Sequence, residues 1–551
     1  MKSVLRAERF RFWLWVLAGA LATALPAGSF ATEAPAQPTD AAQWKLQRKK
    51  AAHRPRRIIF NNDGDDVVYE CKNATPEALL QCRTTALLGS QVDSIFYCTW
   101  SSGLGVFTHN TKLGEVFTCT EKGFSNNKTA EFLKQGTDPL RIMIDFCRKH
   151  QIEVFWSLRT NDTHDAWNDW YSPYLFPRVK REHPEFMVAS GPGRSKHGGW
   201  TALDYGRPEV RELAFRYVEE VCQNYDVDGV ELDFCRHLVH FKRHAMGQDA
   251  GDEERAMMTD LLRRIRAMTE STGRRRGRPI LVAVRVPDSV GYCAAVGLDI
   301  VRWMEEDLID LMAVSDYFRL NPWETSIQLG RRYGVPVYPC LSESRIADRE
   351  AAQVRNSLEC YRARAMEAYD AGACGVYMFN FFNPHSPLWR ELGDAKHLAT
   401  LERVYCAGVR GVGPINQWLA NGERFLTRQI LSPERPRKLR PGEAASLELR
   451  LGGEAERIAS HNLAARVQLR LRVPELAHPD DLTIRFNDRT IPGATKSGQW
   501  VEARVASEAI RRGVNRLEFS VKPGAAGCTV QDVLLWIRPA SAPSKAQKPP
   551  S

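Results

Sequence analysis

Eight apolar runs alternate with helix-period segments between residues 57 and 400, and no other feature restricts the fold of this 551-residue chain as strongly. The runs are Ile58–Asn62, Val92–Trp100, Ile152–Arg159, Gly229–Asp233, Ile280–Val286, Ile309–Asp316, Val335–Leu341 and Gly375–Phe381. Helical spacing of apolar residues marks the intervals, as in Asp138–His150, Pro208–Tyr225, Glu253–Thr269 and Ala351–Ala371. Near-continuous apolar strands belong to parallel sheets buried on both faces, and the intervening helices supply the outer cover. Eight such units predict an α/β fold, a (β/α)8 TIM barrel. A doubly wound sheet would want a glycine-rich turn after its first strand, and Asn61-Asn62-Asp63-Gly64-Asp65-Asp66 is not G-x-G-x-x-G.

After Trp418 the texture changes. Leu447–Leu451, Val467–Val473, Leu482–Phe486, Trp500–Val505, Arg516–Val521 and Val533–Ile537 are short alternating runs broken by Gly, Pro and Asn. They predict a compact all-β sandwich. The expected barrel domain is 57–421 and the sandwich 422–538, with a Pro/Ser/Lys-rich tail at 539–551 read as disordered. No internal repeat stands out.

Residues 1–31 read as a signal peptide. Basic side chains (Lys2, Arg6, Arg9, Arg11) precede an apolar run from Phe12 to Leu25 and a small-x-small site at Ser29-Phe30-Ala31. The run is short against the ~20 residues of a membrane span, so export to the periplasm or beyond is expected, without stable membrane insertion. Residues 32–56, rich in Ala, Pro, Gln and basic side chains, read as a disordered linker. The net charge of +10 favours acidic polymers only weakly, and no basic helix or aromatic-interleaved patch suggests nucleic acid. The 13 cysteines are scattered; Cys71 with Cys82, or Cys98 with Cys119, are possible pairs that spacing cannot decide. There is no CxxC, and no cofactor or metal is expected.

Within the fourth run, Val230, Leu232 and Phe234 alternate with Glu231 and Asp233. Alternation across a strand puts both acids on one face. Carboxylates in an apolar strand cost several kcal/mol unless paired, hydrogen-bonded or part of a site. Carboxyl ends of barrel strands converge on one mouth. Read in order, these ends supply Asn62, Asp63, Trp100, Arg159, Asn161, Asp162 and His164. The later strands add Glu231, Asp233, Arg236, His237, Asp288, Asp316, Tyr317, Glu343 and Asn380. Acids, amides, arginines and flat rings together suit a carbohydrate: carboxylates for proton transfer and attack, amides and Arg for hydroxyls, rings for sugar faces.

The strand Gly229–Asp233, together with Arg159-Thr160-Asn161-Asp162-Thr163-His164, resembles bacterial TIM-barrel proteins described as glycosyl-hydrolase-like, family-10-like. The resemblance covers roughly the barrel and implies a carbohydrate-active role without naming a sugar. Gly229, Asp233 and His237 also match part of the α-amylase spacing, but Glu231 stands where that pattern wants Arg.

Two positions along a strand span about 6.6–7 Å, near the ~6.5–9.5 Å window of inverting glycosidases. Glu231, however, lies one layer deeper than Asp233. Asp233 is therefore the first catalytic candidate, with Glu343 and then Asp316 as partner, and Glu231 as a group that tunes Asp233 or holds Arg285. Asn62, Asp63, Trp100, Arg159, Asn161, Asp162, His164, Arg236, His237, Tyr317 and Asn380 are the substrate-binding candidates. The expected activity is that of an exported glycoside hydrolase acting on a poly- or oligosaccharide. A non-catalytic glycan-binding protein on a barrel scaffold is the alternative, and a metal-dependent hydrolase a further one. A buried ion cluster of Glu231 and Asp233 with Arg159 and Arg285 is the purely structural reading of the same residues.

Overall fold

The computed structural model describes residues 41–315, 317–452 and 466–539. The proposed signal peptide, Asp316 and the segment 540–551 lie outside the described residues.

Eight parallel strands close into a barrel. They are β1 (Ile58–Asn62), β2 (Val92–Tyr97), β3 (Glu153–Arg159), β4 (Gly229–Asp233), β5 (Leu281–Val286), β6 (Leu311–Val314), β7 (Val337–Ser342) and β8 (Val376–Phe379). Each pairs with its sequence neighbour, and β8 returns to β1 through Ile58↔Val376. Outward residues such as Val230, Leu232, Val282 and Val284 join the core beneath the helices, whereas Ile59, Phe96, Phe155, Leu281, Ala283, Tyr338 and Tyr377 fill the lumen. Register stacks the lumen in layers. Gly229 lies beside Phe155 and Leu281, Glu231 beside Ser157 and Ala283, and Asp233 beside Arg159 and Arg285. The barrel thus passes from apolar to ionic as it approaches its carboxyl end.

The linker expected over 32–56 is corrected over its second half. Residues Ala41–Ala52 form helix α1. Ala52 belongs to the lumen cluster, with Ala51 packed against it. Arg48 pairs with Asp310 at 2.7 Å, and Arg56 pairs with Glu153 at 2.6 Å. Composition misled here because the basic residues are not solvated: Arg48 and Arg56 are buried against acids at the barrel's amino-terminal end.

Among the described residues, most C-terminal strands build two antiparallel sheets, beside a two-stranded pair of Arg437–Leu439 with Cys528–Val530. One contains β9 (Arg403–Cys406), Arg466–Arg472, Trp500–Val505 and Asp532–Arg538; the other contains Ala444–Leu451, Leu482–Phe486 and Gly513–Val521. β9 falls inside the segment assigned to the barrel, yet it pairs with the last strand through Arg403↔Ile537. After β9 the chain returns to the barrel: Arg410 donates to Ser315 Oγ at 2.7 Å, and Tyr292 donates to the Ile415 carbonyl at 2.8 Å. Residue 421 is therefore not a clean boundary. All thirteen cysteines are free thiols, so neither Cys71–Cys82 nor Cys98–Cys119 is bonded. No helix among the described residues is long and apolar enough to cross a membrane.

Candidate functional site at the barrel mouth

Asp233 ends β4 and is almost fully buried. Arg285 on the adjacent strand donates through Nε to Oδ1 at 2.9 Å and through Nη2 to Oδ2 at 2.8 Å. The backbone N–H groups of Cys235 and Arg236 also donate to Oδ1, at 2.9 and 3.1 Å. Four N–H donors thus converge on this carboxylate.

Glu231 lies one layer down and is fully buried. Its Oε2 accepts from Ser157 Oγ at 2.5 Å and from the Tyr377 hydroxyl at 3.0 Å. Burial and the neighbouring Asp233 push its carboxyl up to about 8, against the opposing pull of Ser157, Arg285 and Tyr377. Arg285 is thus bonded to Asp233 rather than held by Glu231. The ion cluster anticipated from sequence forms only in part, because Arg159 turns away to Asp63 at 2.7 Å and Asp162 at 3.0 Å.

Asp162, His164 and Arg236 form a connected relay. His164 Nε2 accepts from Arg236 Nη2 at 3.1 Å, which leaves Nδ1–H to donate to Asp162 at 2.8 Å. Burial would raise the Asp162 carboxyl, but His164 and Arg159 hold it well below the usual range. Burial likewise opposes ionisation of Asp63, yet Arg159 and Arg236 bring it down to about 2. His237 Nδ1 accepts the Thr163 N–H at 2.8 Å, and burial holds the ring well below its ordinary pKa, so it is neutral with its proton on Nε2.

Arg236 also donates to the Tyr317 hydroxyl at 3.0 Å, which accepts from Asn380 Nδ2 at 2.5 Å. Arg345 lies 3.5 Å above the Tyr317 ring and faces Glu343 at 3.4 Å. Beneath them, Phe379 carries the Arg285 guanidinium 3.8 Å from its ring centroid. The strand ends of β1, β3, β4, β6, β7 and β8 are thereby joined in one polar network. Asn380, just past β8, has φ +53° and Ser315, just past β6, has φ +79°. Left-handed backbone at non-glycine residues is costly and clusters at functional sites.

Several binding candidates are corrected. Trp100 is buried, with its ring 4.7 Å from Phe117 and 5.7 Å from Phe124, so it is a core residue rather than a sugar platform. Asn161 uses both ends on the scaffold: Nδ2 donates to Leu203 O and Val239 O, and Oδ1 accepts from Leu203 N. Asn62 is similarly engaged by Asp66, Gly64 and Arg83. Asp288, a strand-end acid outside the binding candidates, accepts the backbone N–H groups of Leu320 and Asn321 and fastens a loop. Asp63, Arg159, Asp162, His164, Asp233, Arg236, His237, Tyr317, Glu343 and Asn380 remain at the mouth. Glu343 is nearly half exposed, unlike Asp233. Sequence reasoning missed Arg345 and Phe379; the signal was their position within two residues of Glu343 and Asn380.

Asp162, His164 and His237 place ligand-capable atoms within 4.8 Å of one another. Arg159 on Asp162 and Arg236 on His164 already occupy lone pairs that a cation would need. The donor set fits an ion-pair hub better than a metal centre. The same holds for Asp63 and Asp65, which pair with Arg159 and Arg83.

Residues 87–256 match the family described as glycosyl hydrolase-like 10. Over 107 residues the chain is 32% identical to the glycosyl hydrolase YngK of Bacillus subtilis (strain 168), spanning 18% of each protein. Among solved structures, the GH36 alpha-galactosidase AgaA of Geobacillus stearothermophilus aligns at 12% identity and a TM-score of 0.35, over 88% of this chain and 56% of that one. The glycoside hydrolase domain of PgaB (BpsB) from Bordetella bronchiseptica aligns at 11% identity and 0.37, over 62% and 99%. The matched segment contains β3, β4 and the mouth residues from Arg159 to His164 and from Asp233 to His237, and it is over that segment that the chain is similar to glycosyl hydrolase-like 10.

Proposed function

We propose that the protein is an exported glycoside hydrolase that cleaves a poly- or oligosaccharide with a carboxylate pair at the carboxyl-end mouth of the barrel. One observation carries the reading: Asp233 is clamped by Arg285 and two backbone N–H groups at the top of β4, inside the segment that matches glycosyl hydrolase-like 10. A carboxylate so oriented is placed to stabilise positive charge at a sugar's anomeric carbon or to attack it. The acid–base role then falls to a carboxyl that reaches solvent, and Glu343 has that exposure. Asp316 remains the second candidate for that role. Arg236, His164, Tyr317 and Asn380 offer hydroxyl-binding groups around the pair. Glu231, neutral over much of the working pH range, sits beneath Asp233 as a positioning group. The basic and apolar pattern of residues 1–31 supports export.

Engagement of both Asp233 oxygens by Arg285 favours a second reading, glycan binding without turnover. Incubation of the full chain with a panel of soluble glycans, with new reducing ends as the readout, separates the two. Release abolished by Asp233→Asn supports hydrolysis; binding of a glycan with no release from any of them supports the alternative.

A further inference from the structure

The loop after β3 carries two tryptophans that the mouth network does not use. Trp167 and Trp170 are each 56% exposed, more than any other large apolar side chain among the described residues except Leu46. Leaving more than half of each indole in water forgoes hydrophobic burial, so folding alone does not favour the arrangement.

The loop is not slack. Ser172 Oγ accepts the backbone N–H groups of Trp167 and Asn168 at 3.1 and 3.2 Å, and donates to the His164 carbonyl at 2.5 Å. Asn168 Oδ1 accepts those of Trp170 and Tyr171 at 3.0 and 2.9 Å. Each indole is backed on one side. The His164 ring lies 4.8 Å from that of Trp167 at 35°, with His237 at 5.7 Å. The Trp170 edge passes Gly123 so closely that a Cβ there would stand 3.2 Å from Cη2. Their remaining surface is open to solvent. The ledge is continuous with the mouth, because the His164 ring that supports Trp167 is bonded to Asp162 and Arg236.

We infer that Trp167 and Trp170 form a binding ledge for pyranose rings, over which a polysaccharide chain runs as it leaves the mouth. Resting on the carbohydrate reading above, this deepens it: the ligand is a polymer, gripped beyond the residues at the carboxylates. Axial C–H groups of a pyranose present an apolar face that packs on an indole, while its equatorial hydroxyls seek polar partners. The exposed carboxylates of Asp169 and Glu121 lie on the same loops and provide acceptors. Preordered side chains bind with little entropy loss.

The test is native affinity electrophoresis of the full chain in gels containing hydroxyethyl cellulose, glycol chitin or soluble starch. At least one polymer should retard the wild-type protein. Trp167→Ala and Trp170→Ala should each weaken binding about fivefold or more, while Trp170→Phe restores part of it. Equal retardation of wild type and both alanine variants overturns the ledge, as does failure of all three polymers to retard the wild type. Sedimentation velocity of the same proteins adds a further outcome: a wild-type dimer that the alanine variants convert to monomer overturns it in favour of self-association. Turnover assays of the wild type beside the gels separate the two proposals. Polymer retardation without any wild-type turnover keeps the ledge and sinks the hydrolase, whereas turnover of short chromogenic glycosides without polymer retardation does the reverse.

Discussion

Arg285 grips Asp233 by both carboxylate oxygens, side by side in register on β5 and β4, with its guanidinium over the Phe379 ring. Breaking a buried pair from one side leaves an uncompensated charge, a loss of about 3–5 kcal/mol. Arg285→Met should lower stability by that order, measured by urea denaturation. Asp233→Asn is nearly isosteric and keeps an oxygen for Arg285 to bond, so the protein should still fold, at reduced stability, while turnover falls by a factor of about 10² or more. Unchanged turnover in a folded Asp233→Asn protein would remove Asp233 from the catalytic pair.

Glu343 contrasts with that clamp. Its partner Arg345 is as exposed as it is, and exposed pairs contribute about 0–1 kcal/mol. Glu343→Gln should therefore leave the melting temperature almost unchanged and lower kcat by about 10² or more. A wild-type rate would transfer the acid–base role to Asp316.

Glu231 sets a pH dependence of stability. Its folded pKa, about 8, lies above the ~4.3 of a free Glu. The unfolded chain releases this proton first, so the stability contributed by the protonated carboxyl is intact below about pH 4.3. It declines as pH rises and is lost above about pH 8. Glu231→Gln cannot ionise and should flatten this decline, gaining on the wild type between pH 5 and 8. Melting curves of both proteins across that window check it; parallel curves would contradict a raised Glu231.

At the opposite end of the barrel, Arg56 donates through Nε and Nη2 to the two oxygens of Glu153, each at 2.6 Å, and both residues are buried. Arg56→Ala should cost about 3–5 kcal/mol by the same reasoning as for Arg285. Deletion of residues 1–55 would also uncover the lumen cluster beneath Ala52. A full-strength melting transition in that deletion would show α1 to be dispensable.

Barrel and sandwich are joined by buried chemistry. Arg355, with a fully buried side chain, donates to Asp532 at 2.7 and 2.8 Å, and Trp500 Nε1 donates to Glu350 at 3.0 Å. Trp500 packs there with Cys360, Val404, Cys406 and Leu534. A chain truncated after residue 421 should fold poorly, because it strands Arg355 and leaves β9 without its partner strand. Recovery of a soluble, active barrel from that truncation would show the two parts to be independent.

Local pattern was enough to locate all eight barrel strands and six of the sandwich strands, though not β9, because a strand buried on both faces must be apolar and a half-buried one must alternate. It also put Glu231 and Asp233 on a common face, since side-chain alternation depends on the backbone alone. The sequence could not tell which charged groups meet. Arg159 faces Asp63 and Asp162 instead of Asp233, Arg48 and Arg56 close the barrel instead of trailing in a linker, and Trp100 is buried while Trp167 and Trp170 are open. Those partners are separated by up to hundreds of residues, and barrel closure and loop packing bring them together. Sequence periodicity determined the elements and their inward faces; the pairing of ions and the exposure of aromatics were decided only by the tertiary fold, because Coulombic contact and burial depend on distance through space.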